Sequence, residues 1–381
     1  MIPYSRQKIF KEDIDCVKKV LKSDFLTTGP QVSIFEKELK KKFKSKYVTC
    51  VNSATSGLHL ACMALGLSKG DYLWTSGISF VASSNCALYC GSNIDFVDID
   101  IQTFNISVLN LKQKLILAKK QKKLPKILVV VHMAGNPCEM KEIYRLSIKY
   151  NFKIIEDASH ATGSYYKNQI IGNCKYSDIC VFSFHPVKIF TSGEGGAILT
   201  NKKKISQKLN ILRNHGIQRD SKKFKKKKQL AYYYEQQSLG YNYRISDIQA
   251  ALGNSQLKKI KLFTKKRNFI YNFYRKKLKN LPVKFQYIEK NNFSSFHLVI
   301  ILFKSKKIRN KIFNILRKKN YFVNLHYIPI YRHPFYKKYN IKYLSYPNCE
   351  DYYKRALSIP VYYDLKIQEI NRFIKQIEKL L

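Results

Sequence analysis

The sequence predicts an α/β protein, with a large α/β/α domain on a mostly parallel sheet and a small α/β domain at the C-terminal end. Three observations predict it. Short strand-like runs alternate with helical periodicity between Tyr47 and Thr200, the pattern of crossover connections between parallel strands. The run ILVVVHMAG (Ile127 to Gly135) is apolar without alternation, as in a strand covered on both faces. From about residue 256 the elements become shorter, which divides the chain into 1–255 and 256–381.

Taken in order, apolar residues at helical spacing predict a helix from Gln7 to Lys22, a Thr27-Thr28-Gly29-Pro30 turn, and a second helix from Ile34 to Phe43. Tyr47 to Val51 is a strand. NSATSG then opens a helix, which puts Ser53 to Ser56 at its N-terminus, where unpaired N–H groups and hydroxyls suit a phosphate. An ordinary N-cap is the alternative. IDFVDID is a strand, Leu109 to Lys120 a basic helix, and Pro137 starts a helix that runs to Tyr150. FKIIEDASHA brings a strand ending at Asp157. DICVFSF (Asp178 to Phe184) and GAILT (Gly196 to Thr200) are strands on either side of Lys188. The lysine cluster Lys222 to Lys228 reads as a solvated loop. Ser246 caps a long helix that bridges to the second domain, which holds the strands FHLVIILF and YFVNLHY, a helix around Arg309 to Lys318, and a last helix from Ile367 to Leu381.

With 45% hydrophobic residues the 381-residue chain is a folding one, and no run of 18 apolar residues is present, so a soluble, cytoplasmic protein without membrane contact is expected. The net charge of +45 is that of a polyanion binder. Yet lysine is spread along the whole chain beside abundant Ile, Asn, Tyr and Phe, all with A/T-rich codons, so base-composition drift accounts for it and no nucleic-acid partner is expected. Nine scattered cysteines fit free thiols in a reducing compartment, and the histidines lack ligand spacing, so no metal is expected.

In parallel sheets ligands gather at the carboxyl ends of the strands, where Asp157 and Lys188 both fall. An amine that can form an imine, with a carboxylate to keep a pyridine nitrogen protonated, is what pyridoxal phosphate (PLP) needs. Ser183 adds a hydroxyl and the Ser53 to Ser56 turn an anion site.

The segments TTGPQVSIFE, NSATSGLHLA, SFVASSN, VVHMAGNP, IIEDASHATGS, FSFHPVKIFTSGEGG, NHG, LGYNYRISDIQAALG, LHYIPIY and LSIPVY, in that order, resemble the sugar-nucleotide aminotransferases of the DegT/StrS family, a branch of the fold-type I PLP-dependent transferases. The resemblance covers nearly the whole chain and thins between about 257 and 320. It implies that Lys188 is the Schiff-base lysine and proton shuttle and that Asp157 pairs with the pyridinium nitrogen. His160 would approach the ring's phenolic oxygen, with a packed core histidine as its rival, and Phe80 would stack on the ring. Thr55, Ser56 and Ser183 match phosphate binders. Asn242 matches a residue that reaches the phosphate from a neighbouring subunit, which implies a homodimer with shared active sites. Tyr4, Thr28, Gly29 and His326 align with segments bordering the sugar-nucleotide pocket. Some relatives carry histidine in place of the lysine and dehydrate their substrates; this chain keeps the lysine, so transamination is expected. SFHPVK, TSGEGG and SFVAS are nearest to 4-aminotransferases that use L-glutamate on UDP-4-keto-6-deoxy-N-acetylhexosamines in pseudaminic acid synthesis, with GDP-perosamine and dTDP-sugar enzymes as alternatives.

Overall fold

A computed structural model describes residues 1–226, 230–341 and 343–381. Its centre is a seven-stranded sheet: β1 (Tyr47–Val51), β2 (Tyr72–Ser76), β3 (Asn93–Val97), β4 (Ile127–Val131), β5 (Lys153–Asp157), β6 (Ile179–Ser183) and β7 (Gly196–Thr200), in the order β1-β7-β6-β5-β4-β2-β3. β7 runs antiparallel to both its neighbours, and the remaining pairs are parallel. The expected large, mostly parallel sheet is therefore present. All five residues of β4 are buried, as its unbroken apolar run requires.

Helices α1 (Lys11–Leu21), α2 (Pro30–Phe43), α3 (Ala54–Ala64), α4 (Ala82–Tyr89), α5 (Val108–Lys120), α6 (Met140–Tyr150), α7 (Lys203–Leu212), α8 (Asp247–Leu257) and α9 (Ile260–Lys277) accompany the sheet. One apolar cluster joins Leu58 and Leu60 of α3 to Val129, Ile155 and Val181; a second joins Phe35 and Phe43 of α2 to Leu128, Ile154 and Phe182. Alternate residues of each strand thus face opposite layers, the arrangement that makes three layers of the domain.

Further along, β8 (Lys284–Phe285), β9 (Val299–Leu302) and β10 (Ala356–Ile359) form a small antiparallel sheet, accompanied by α10 (Lys306–Lys318), α11 (Pro347–Arg355) and α12 (Ile367–Glu378). A third cluster gathers Ile270 and Tyr274 of α9 with Ile301, Leu316, Leu357 and Phe373. Ile260 and Phe263, the first turns of α9, belong instead to the second cluster, so this helix spans two cores.

Several expected boundaries shift, each for a tertiary reason. The first helix starts at Lys11 rather than Gln7, because Asp13 accepts the Phe10 N–H at 2.9 Å while Gln256 holds the Lys8 carbonyl at 2.9 Å. α2 starts at Pro30 rather than Ile34: the buried Asp247 carboxylate accepts the N–H groups of Gly29 (2.7 Å) and Gln31 (2.8 Å), a cap supplied from far along the chain. The apolar run from Ile127 leaves the sheet at Val131 and turns through Ala134 and Gly135, both at positive φ. A Cβ on Gly135 would lie 2.9 Å from the His160 carbonyl oxygen, so only glycine fits. α6 begins at Met140, not Pro137, because the Cys138 N–H is spent on His132 Nδ1 at 3.1 Å. The helix capped by Ser246 breaks at Lys258–Lys259 into α8 and α9. In YFVNLHY only Tyr321–Phe322 pairs as a strand, with Ile2–Pro3, and Asn324 makes a single bridge to Ser358. The last helix stops at Glu378. Lys227 and Lys228 of the lysine cluster lie outside the described residues; Lys222, Lys223, Lys225 and Lys226 are exposed.

Candidate active site

Strand ends set the site. β5 terminates at Asp157 and β6 at Ser183, both buried, and the connection from β6 back to β7 carries Lys188. Because β6 and β7 are adjacent and antiparallel, this connection is anchored at both ends, with Gly196 opposite Ser183 in the ladder. Together they open onto a cavity of about 1240 Å³ that is also lined by Tyr4, Thr55, Ser56, Phe80, His160 and His326. Nine of the twelve residues singled out in the sequence therefore meet around one space.

Three do not. Thr28 and Asn242 are exposed, and neither they nor Gly29 lines this cavity. They lie along one strip, since Thr27 bridges to Ser246 and Asn242 bridges to Asn214.

At the phosphate-like end, Ser53 caps α3: its Oγ accepts the Ser56 N–H at 3.1 Å, an arrangement typically worth about 1 kcal/mol. Ser56 Oγ donates to Asn52 Oδ1 at 2.5 Å and lies 2.9 Å from Ser53 Oγ. The N–H groups of Ala54 and Thr55 have no hydrogen-bond partner among the described residues. A Cβ on Gly196 would come within 2.7 Å of the Ala54 nitrogen, so this glycine lets β7 pass close beneath the helix end. Two free donors, short hydroxyls and a helix dipole meet here, which is what an anionic group needs.

Asp157 is held rather than free. Its Oδ2 accepts from Ser83 Oγ at 2.7 Å, Ser83 pairs with Ser79 at 2.7 Å, and its Oδ1 accepts the Ser159 N–H at 3.2 Å. Part of the Lys188 chain faces the open cavity, but its amine end is enclosed; burial pushes its pKa down to about 8, with the Asp157 carboxylate opposing. A lysine there is partly neutral, and so nucleophilic, near pH 8.

Burial first, then the charges of Lys188 and His326, hold His160 well below the usual histidine range. Its Nδ1 accepts the Ala134 N–H at 3.4 Å, so the proton sits on Nε2, 3.1 Å from the Tyr327 hydroxyl. Burial, followed by Lys188, pushes His326 down to about 3; its Nδ1 is 2.8 Å from Ser358 Oγ and its ring 4.7 Å from Tyr4. Phe80 is 55% exposed, an unusual position for a large apolar ring, and it faces the cavity 6.1 Å from Tyr327.

Two polar partners escaped the sequence reading. Ser83 lies inside SFVASSN, but only the fold brings it to Asp157. Tyr327, beside His326, carries no periodic signal that would separate it from a core tyrosine.

These residues suit PLP: an anion cradle, an exposed ring face, a fixed carboxylate and a lysine of depressed pKa border one cavity. Comparison with known proteins agrees. The sequence matches the DegT/DnrJ/EryC1/StrS aminotransferase family over residues 7–378. It is 38% identical over 379 residues to the UDP-4-amino-4,6-dideoxy-N-acetyl-beta-L-altrosamine transaminase of Campylobacter jejuni serotype O:2, covering 98% of this chain and 96% of that one. Among solved structures, Helicobacter pylori PseC, an aminotransferase involved in the biosynthesis of pseudoaminic acid, superposes with a TM-score of 0.90 at 31% identity, covering 100% of this chain and 98% of the other. Spr1654 of Streptococcus pneumoniae in its PMP-form gives 0.90 at 26% identity with full coverage of both chains, and its PLP-form gives 0.89. A PLP-dependent sugar aminotransferase results, and the chain belongs to the DegT/DnrJ/EryC1/StrS aminotransferase family.

Proposed function

We propose that the enzyme moves an amino group from L-glutamate to C4 of a UDP-4-keto-6-deoxy-N-acetylhexosamine, giving UDP-4-amino-4,6-dideoxy-N-acetyl-β-L-altrosamine for pseudaminic acid synthesis. The observation that carries the chemistry is Lys188, its pKa near 8, sharing a cavity with the fixed carboxylate of Asp157. The full-length likeness to a transaminase named for that product supports the substrate.

When bound, PLP supplies an electron sink that acidifies the C–H beside the transferred nitrogen. Thr55, Ser56 and Ser183 would hold its phosphate, and Phe80 would cover the ring. Asp157, kept in place by Ser83, would hold a proton at the ring nitrogen. His160, neutral at Nδ1, offers its Nε2–H as a donor to the ring's phenolic oxygen. Lys188 Nζ takes the proton from the amino donor's carbon and returns one to C4 of the sugar. Its value near 8 lets it serve as base and then as acid close to neutral pH. Tyr4 and His326, in contact on the far wall, border the sugar.

A homodimer with shared sites completes this reading. Thr28 is a β-branched residue held at φ +57°, a conformation that costs on the order of 1–3 kcal/mol. Strain of that size at an exposed residue supports a role in contacting a neighbour. We assign Thr28, Gly29 and Asn242 to the site of the second subunit. The nine free cysteines support a reducing, cytoplasmic setting, and no helix among the described residues is long and apolar enough to cross a membrane. We also keep the division into 1–255 and 256–381, with α9 as the bridge; the separate third cluster supports it.

The test is a panel of UDP-, GDP- and dTDP-4-keto sugars incubated with enzyme and L-glutamate, with mass spectrometry of the amine product. Amination of the UDP-N-acetyl substrate at least tenfold faster than the others is expected (a difference of about 1.4 kcal/mol). Preference for a GDP or dTDP sugar would replace the substrate.

A further inference from the structure

Beside a second, smaller void that Lys188 also lines sits a buried cation with no counterion among the described residues. Arg267 of α9 is 3% exposed, and among the described residues it has no ion-pair partner. Its Nη1 donates to three carbonyl oxygens, those of Phe296 (3.2 Å), His297 (3.0 Å) and Val361 (3.0 Å), and its Nη2 to Ser5 Oγ at 3.2 Å. An unpaired buried charge costs several kcal/mol in general, more than packing alone would justify. Burial also depresses its own pKa, to about 10, leaving it charged at neutral pH.

Three of these four contacts lead to the active site. Ser5 Oγ passes its own hydrogen to the carbonyl oxygen of Val187 at 2.9 Å, and that carbonyl belongs to the peptide bond joining Val187 to Lys188. The Val361 N–H donates to the Tyr4 carbonyl at 2.9 Å, and Tyr4 lines the main cavity. The His297 ring lies 4.4 Å from that of His160. Arg267 and Lys188 also line one small void of about 10 Å³.

We propose that Arg267 is a positioning residue for Lys188: through the Ser5 hydroxyl it fixes the Val187–Lys188 peptide, and so the direction from which Nζ meets the cofactor. The β6–β7 connection supplies the lysine, and the Arg267–Ser5 relay, contributed by α9 and the N-terminal segment, aims it. The inference rests on Lys188 as the cofactor lysine.

Ser5→Ala removes the relay while leaving Arg267 its three carbonyls, and it provides the test. Apo-protein is mixed with PLP, the rate of attachment to Lys188 is followed by visible absorbance, and the linkage is trapped with borohydride and mapped by mass spectrometry. Thermal melting of the apo-protein and the kcat and KM for the sugar are measured alongside. The expected result is unchanged melting, attachment and kcat each slowed roughly tenfold, the loss of about one hydrogen bond's worth of orientation, and an unchanged KM. Arg267→Lys should restore part of the rate that Arg267→Met loses. Wild-type attachment and kcat in Ser5→Ala would overturn the proposal, as would a loss of rate in all three variants that merely tracks lowered melting. Failure of the wild-type protein to take up PLP at all would overturn the role of Lys188 as well.

Discussion

The cavity wall, built by Ser53 to Ser56, Ser79 to Ser83, Asp157 to Lys188 and Tyr327, and the strip formed by Thr28, Gly29 and Asn242 both carry polar groups, yet their side chains are used differently. In the wall, side chains bind one another: Ser83 holds Asp157, His160 meets Tyr327, and Ser53 meets Ser56. In the strip the backbone is fixed and the side chains are idle. Asp247 grips the N–H groups of Gly29 and Gln31, and Asn242 pairs with Asn214, while Thr28 Oγ1 reaches only its neighbour's carbonyl at 2.7 Å and Asn242 faces solvent. A rigid backbone that presents unused polar groups suits recognition of something outside its own chain. In the function proposed above, the wall is a site the chain keeps and the strip is one it offers.

The largest test of that contrast is at the kept site. Lys188→Ala should lower transamination by roughly 10⁴-fold, the upper range for losing a positioned acid–base group, with loss of the visible cofactor band. Residual turnover above a hundredth of wild type would place the proton shuttle elsewhere.

Next comes the cost of holding that lysine. Below pH 8 it is protonated in folded and unfolded chains alike, and the fold bears the full penalty of a buried amine. Between about 8 and its unfolded value near 10.5 only the unfolded chain holds the proton, so stability rises with pH; above that window the penalty is gone. Lys188→Met should therefore stabilise the apo-protein by about 3 kcal/mol at pH 7, a gain that fades through this window. A pH-independent gain in denaturant titrations would mean that the amine is not desolvated.

The smallest effect belongs to the offered strip. Asn242→Ala should weaken cofactor affinity about tenfold, as loss of one hydrogen bond to a charged group does. At a PLP concentration too low to fill Asn242→Ala, mixing it with Lys188→Ala under conditions of subunit exchange should recover about a quarter of the wild-type sites, since half of the dimers are mixed and each holds one intact site. No recovery would make the chain's own cavity self-sufficient and erase the contrast.

Legibility followed the range of the forces involved. β1, β4, β5 and β7 declare themselves through local apolar runs, and Ser53 and Ser246 cap their helices through bonds three residues long, so both were readable. The start of α2 was not, because its cap, Asp247, lies in another helix. Likewise Asp157 and Lys188 could be placed from strand ends, whereas Ser83 and Tyr327 became visible only when the fold put them in contact. The family resemblance implies residue roles that spacing alone does not carry, the one proposed for Asn242 above all.

The pairing of Ile2–Pro3 with Tyr321–Phe322 has a consequence for the timing of synthesis. Ile2 and Pro3 find their strand partners only some three hundred residues further along the chain. The Tyr4 carbonyl waits for the N–H of Val361. At roughly 5–20 residues per second, Lys188 emerges about ten to thirty-five seconds before the pocket has its full wall. Over that interval the lysine has its sheet but not yet its shelter, and the pocket stays open on that side until Val361 has emerged.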